Sequence, residues 1–125
     1  MDDWPIIFSY TRAQAIADGV LIDVTAHAAE VGFKVPTVVT DHLYNSYVVP
    51  PAGLEGEGQS VKGRLQDLLF RTLLAAKAIR DSDRAEFDVL FLMAPGRWDT
   101  VHVVAAIGPG DQGEPVMTIM LPEDD

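Results

Sequence analysis

A chain of 125 residues with 48% apolar and 22% charged residues has the size and balance of one folded domain and is too apolar for a disordered acidic tail. It contains no cysteine, which excludes disulfides, thiolate nucleophiles and thiolate metal sites. Its net charge of -10 repels nucleic acid and anionic membrane and favours basic partner surfaces.

That charge is unevenly placed. Residues 1–59 carry 8 acids and 2 bases, residues 60–84 carry 3 acids and 6 bases, and residues 85–125 carry 8 acids and 1 base, so a basic island interrupts an acidic chain. The opening MDDWPIIFSY is acidic where a secretion signal is basic, and no apolar run reaches the roughly 18 residues that span a bilayer. A cytoplasmic protein with no membrane contact is the expectation. No repeat, low-complexity tract or long linker divides the chain, so residues 1–125 read as a single domain.

In chain order, helical signals come first. Thr11 is placed to cap RAQAIAD and Gly19 to end it; the run VLID follows, and Thr25 is placed to cap AHAAEV, closed by Gly32. Pro36 resets the chain. A third helix from Thr40 to about Val48 stops at Pro50-Pro51. The longest element starts after Ser60 and covers about 60–80, with Val61, Leu65, Leu68, Leu69, Thr72, Ala75, Ala76 and Ile79 on one stripe at 100° per residue. Phe70, Leu73 and Leu74 lie off that stripe, which predicts cover on more than one side. Arg64, Asp67 and Arg71 read as a charge ladder on the outer face.

After Asp81 the pattern turns extended. EFDVLFLMAP, TVHVVAAIGP and EPVMTIMLP are three β-rich runs joined by GRWD and GDQG, which predicts an antiparallel meander. Phe87, Val89, Phe91 and Met93 share one face, joined by Val101, Val103 and Ile107. The expected architecture is α+β: N-terminal helices, one of them long and central, packed on a C-terminal three-stranded antiparallel meander.

Chemical motifs are sparse. Gly53 to Ser60 reads G-L-E-G-E-G-Q-S, close to a phosphate-binding loop, but Gln59 stands where that loop needs Lys, and Glu55 and Glu57 add negative charge. A loop leading to the cap Ser60 is the better reading, and no cofactor is implied. Arg64 and Arg71 are weak candidates for phosphate contacts. His27, Glu30 and Asp23 make a thin metal face without a second His at the spacing a zinc helix uses, so no metal site is assigned. No residue carries a catalytic assignment; His102, on a strand with Thr100 and Val104, is the one weak candidate, for a small metal-independent nuclease or transferase. The hairpin tip Arg97-Trp98-Asp99 combines residue types that dominate binding hot spots. Asp111 and Glu114, in the glycine-rich GPGDQGEP loop, and the run Glu123, Asp124 and Asp125 supply acidic surface for binding.

The segments SYTRAQAIADGVLIDVT, GRLQDLLF and GPGDQGEPVMTIMLPEDD together resemble an uncharacterised family of small bacterial proteins encoded on plasmids, prophages and other mobile elements. The family has no established catalytic residues, so the resemblance carries none over. It implies genomic company in which small proteins often inhibit host defence, of the anti-CRISPR or anti-restriction kind. With the charge, it leads to an expectation of a non-enzymatic acidic protein that binds a basic surface of a host nucleic-acid-handling protein, and does not bind nucleic acid directly. The rivals are an enzyme using His102 with Arg97, and a homo-oligomer without activity of its own.

Overall fold

A computed structural model describes residues 10–79 and 82–125. Helix α1 (Arg12–Ala17) starts from a reciprocal cap: Thr11 Oγ1 accepts from Gln14 N, and the Gln14 side chain accepts from Thr11 N. Gly19, at φ 78°, ends it. Strand β1 (Leu21–Asp23) and helix α2 (Thr25–Val31) follow. Thr25 is the first residue of α2 rather than its cap. Its hydroxyl donates to Asp23 Oδ1 at 2.6 Å and accepts from Thr37 N at 3.0 Å, tying the helix start to strand β2 (Thr37–Thr40).

Thr40 caps the one-turn α3 (Asp41–Leu43), which widens into a π-helical turn over Tyr44–Val48. A loop through Ser60 leads to α4 (Val61–Ala78), where Ser60 Oγ accepts from Gly63 N at 3.0 Å. Strands β3 (Arg84–Ala94), β4 (Arg97–Pro109) and β5 (Pro115–Met120) complete the chain, with a 3-10 turn over Pro122–Asp124.

The strands form one five-stranded mixed sheet in the order β1-β2-β5-β4-β3. This corrects the expectation of helices packed on a three-stranded meander. β3, β4 and β5 run antiparallel to one another, but β5 also pairs in parallel with β2, in the register Thr37↔Met117, Val38↔Thr118, Val39↔Ile119, and β1 extends the sheet beyond β2. All four residues of β2 are buried, so TVVT shows no polar alternation, and its brevity beside Pro36 hid it among the helices.

Helices α2 and α4 and the π turn cover one face. Leu65, Leu68, Leu69 and Thr72 of α4 pack with Val89, Phe91, Val101, Val103 and Ile119 in the main core. The Thr72 hydroxyl donates to Leu68 O at 2.8 Å, so it is buried without an unmet donor. The expected stripe holds at its centre and fails at its end, where Ile79 is exposed. Phe70 and Leu74, expected under cover, are also exposed; only Leu73 of the off-stripe residues packs against the core.

Candidate functional site

Arg64 sits on the second turn of α4, only 5% exposed. The expectation of an outward charge ladder is therefore wrong for this residue, although Arg71 Nε does pair with Asp67 Oδ1 at 3.2 Å. The reason lies in the end of the π turn, where the carbonyl of Tyr47 has no helical partner. Arg64 Nε and Nη2 donate to it at 2.8 and 2.6 Å. Nη1 donates to Gln59 Oε1 and to Leu92 O, both at 2.8 Å, and Nη2 approaches Met93 Sδ at 3.6 Å. The guanidinium also lies 5.2 Å from the centre of the Phe91 ring, which stacks on Tyr47 at 5.6 Å. Every N–H of Arg64 is thus spent within the protein, so it has none to offer a phosphate. Burial pushes its pKa down.

By drawing Gln59, the π turn and β3 together, Arg64 shapes a groove at the start of α4. Gly58, Ser60 and Gly63 form one wall and Leu90, Leu92 and Trp98 the other, around a cavity of about 270 Å³. The groove continues over Asp67, Arg71, Leu90 and Trp98 as an open shelf. Leu92 pairs with Trp98 and Leu90 with Thr100, so Leu90 and Trp98 are diagonal neighbours on one face. They are 52% and 57% exposed. Of the expected hairpin trio, only Trp98 lines this groove; Arg97 and Asp99 pair with each other at 3.5 Å, on the strand positions that alternate with it.

The remaining sequence candidates lie elsewhere and are mostly tied up. Asp111 caps α1 from a distance, its two carboxylate oxygens accepting from Arg12 N at 2.8 Å and Ala13 N at 3.0 Å. Glu114 folds back within its own loop, accepting from Gln112 N at 2.9 Å. Asp124 accepts from Thr40 Oγ1 at 2.8 Å, Leu121 N at 3.1 Å and His42 Nδ1 at 2.9 Å, which pins the last turn to the start of α3. Burial opposes ionisation of this carboxyl, but the hydrogen bonds outweigh it and lower its pKa. Asp125 pairs with Arg84, at the opposite end of β3 from Trp98. Among the described residues only Glu123 of the acidic run has no ion-pair partner. The expected acidic binding patch is consequently divided among separate structural contacts.

His102 is clasped across the β3–β4 ladder. Its Nδ1 donates to Asp88 Oδ1 at 2.8 Å and its Nε2 to Glu86 Oε1 at 3.0 Å. The hydrogen bond to Glu86, then that to Asp88, raises its pKa, and both nitrogens are occupied as donors in the charged form. Neither is free for acid–base work on a substrate in this geometry, and His102 does not line the groove. Asp23 holds Thr25 instead of facing His27, and among the described residues no three of His, Cys, Asp and Glu are placed to share a metal ion.

Sequence reasoning missed Leu90, Asp67 and Gln59 as groove residues. Leu90 had a readable signal: it sits out of phase with the core residues Val89 and Phe91 on the same strand. Among the described residues, no helix is long and apolar enough to cross a membrane. No curated protein and no solved structure matches the chain. A family model does match residues 2–125, and the chain belongs to that family, DUF6573, a family of unknown function.

Proposed function

We propose that the protein is a non-enzymatic binding module that engages a basic site on a partner protein through the groove bordered by Leu90 and Trp98. The observation that carries this reading is the exposed Trp98–Leu90 pair beside a preformed cavity. A large aromatic held at a rigid hairpin, next to an aliphatic neighbour and ringed by charged side chains, has the composition of an interface hot spot. The net charge of -10 supports a basic partner, since it speeds encounter with one and slows encounter with acidic surfaces. The resemblance to mobile-element proteins makes a nucleic-acid-handling protein of the host the first partner class to try, with inhibition of a defence complex as the activity.

The test compares tagged wild-type protein with Trp98→Ala in capture from a bacterial lysate, at low and high salt, read by mass spectrometry. The expected result is a basic protein retained by the wild type at low salt, released as salt rises, and lost in Trp98→Ala, because truncating a central anchor costs on the order of 2 kcal/mol or more. Identical capture by both proteins would overturn the reading.

A further inference from the structure

Among the described residues β3 is the last strand of the sheet, and one of its two edges has no neighbouring strand. The ladder fixes which residues face that open side. Ile107 N donates to Asp83 O at 2.7 Å, so the odd-numbered residues along this segment turn their backbone groups toward β4. From the opposite side, Arg64 takes the carbonyl of Leu92, an even-numbered residue. Backbone N–H and C=O groups of Glu86, Asp88 and Leu90 therefore point outward. Both flanks of this window are closed by the chain itself. Ser82 Oγ accepts from Arg84 N at 3.1 Å and donates to Arg84 O at 3.2 Å, while Arg64 closes the Leu92 end. Between them, the outward groups of Glu86, Asp88 and Leu90 have no protein partner among the described residues, and all three side chains are exposed.

Resting on the binding reading above, we propose that this window accepts a β-strand from the partner, an extended segment in which basic residues alternate with apolar ones. Strand addition would satisfy the open backbone groups, and alternate side chains would supply the selectivity. On the face shared by Glu86, Asp88 and Leu90, the incoming residues are Lys or Arg: the one opposite Asp88 reaches the Oδ2 that His102 leaves free, and the one opposite Leu90 lays its alkyl stem on that side chain. On the other side of the added strand, the shelf of Asp67 and Arg71 from α4 overhangs the edge and takes the alternate side chains. A second copy of this chain fits less well. The antiparallel register that uses the whole window for self-pairing sets two Asp88 carboxylates opposite each other, and both copies carry a charge of -10.

The probe is a capped peptide of alternating lysine and valine, about eight residues long, a usual strand length. Its control is the same peptide methylated at every backbone nitrogen, which keeps the charge and loses the donors. With wild-type protein, the unmodified peptide is expected to slow amide exchange of Glu86, Asp88 and Leu90, and to bind about tenfold or more tightly than the methylated one, several hydrogen bonds being at stake. Asp88→Pro removes one outward N–H and leaves the backbone ladder to β4, but it also takes away the carboxylate that holds His102, so Asp88→Ala is its control; the proline variant is expected to bind the unmodified peptide more weakly than the alanine variant does, and retained amide protection in β4 and β5 checks its fold.

Equal affinity for both peptides, no binding of either, or unchanged exchange in the window overturns strand addition. So does a dimer in sedimentation that Asp88→Pro breaks, since the window would then serve self-association. None of these outcomes touches the Trp98-dependent capture from lysate, whose failure instead removes the binding reading itself.

Discussion

Arg64 and Leu92 are joined by a 2.8 Å hydrogen bond from Nη1 to the strand carbonyl, and the same guanidinium holds the carbonyl of Tyr47. The start of α4, the end of the π turn and the rim of the sheet are thereby locked to one cation that has no carboxylate partner among the described residues. Its neighbours are neutral oxygens, a sulfur and an aromatic face, so the cost of burying the charge is met by many small contacts.

Replacing Arg64 by Met keeps much of the stem and strands two buried carbonyls. The expected loss in unfolding free energy is about 2–6 kcal/mol, from roughly 1–3 kcal/mol for each of the two unmet groups. Arg64→Lys should recover little of it, because an ammonium cannot reproduce the fork that reaches Tyr47, Gln59 and Leu92 together. Urea denaturation measures both; an unchanged midpoint in Arg64→Met would refute the assignment.

The His42–Asp124 clasp makes the docking of the last turn depend on pH in two directions. The hydrogen bond to Asp124 raises the pKa of His42, so its contribution is complete below the ordinary histidine value near 6.5 and fades as pH rises through the raised folded value. Asp124 has a lowered pKa, so its contribution is complete above the ordinary aspartate value near 3.9 and fades as pH falls through the lowered folded value. Exchange of the Leu121 amide should be slowest between those limits. In His42→Gln the alkaline fading should vanish while the acid one persists; the same alkaline profile in that variant would clear His42 of the role.

Charge reversals in the acidic run should separate cleanly. Glu123→Lys is expected to leave stability within about 0.5 kcal/mol, as for an ordinary surface site. Asp124→Lys should lower the thermal midpoint, because it removes the acceptor shared by Thr40, Leu121 and His42. Equal effects from the two variants would mean that the run acts as undifferentiated charge.

His102 should titrate above the usual histidine range in an NMR experiment, because Glu86 and Asp88 both accept from it. Asp88→Asn and Glu86→Gln should each bring the value down, Glu86→Gln further. A value that stays put in both variants would show that the clasp is open in solution.

Asp111→Ala removes the remote cap of α1 and leaves the Arg12 and Ala13 N–H groups to water. The expected cost is about 1 kcal/mol, the usual value of a cap, and faster exchange at those two amides is its signature. Exchange unchanged at both positions would place the carboxylate elsewhere in solution.

Much of the local structure was legible because it depends on near neighbours. Thr11 with Gln14, Ser60 with Gly63 and the alternation of Phe87, Val89 and Phe91 all announce themselves within a few residues. What the sequence concealed depends on residues far apart. β2 is recognisable only through β5, whose residues 117–119 pair with residues 37–39, and a buried strand of four residues has too little pattern to declare itself. Arg64 was misplaced because a helical wheel sets it with Asp67 and Arg71, whereas it stands only about 40° from Leu68 and is drawn inward by an orphan carbonyl the wheel cannot show. The sequence marks Trp98 as a residue type common in binding hot spots and leaves open whether it folds back over the sheet edge; its exposure, its pairing with Leu90 and the groove at Ser60 required the hairpin register.

The placement of β5 between β2 and β4 also sets an order of events during synthesis. Until residues 115–120 have left the ribosome, β2 has no partner on one side and β4 none on the other, so the nascent chain presents two open strand edges of high apolar content. Closing the gap requires contacts between residues near 38 and residues near 118, a long loop whose entropy must be met before the sheet rewards it. The five-stranded sheet therefore closes only once β5 has emerged, and a ribosome stalled before residue 115 holds a chain with the β1–β2 and β3–β4 pairs but no strand to join them.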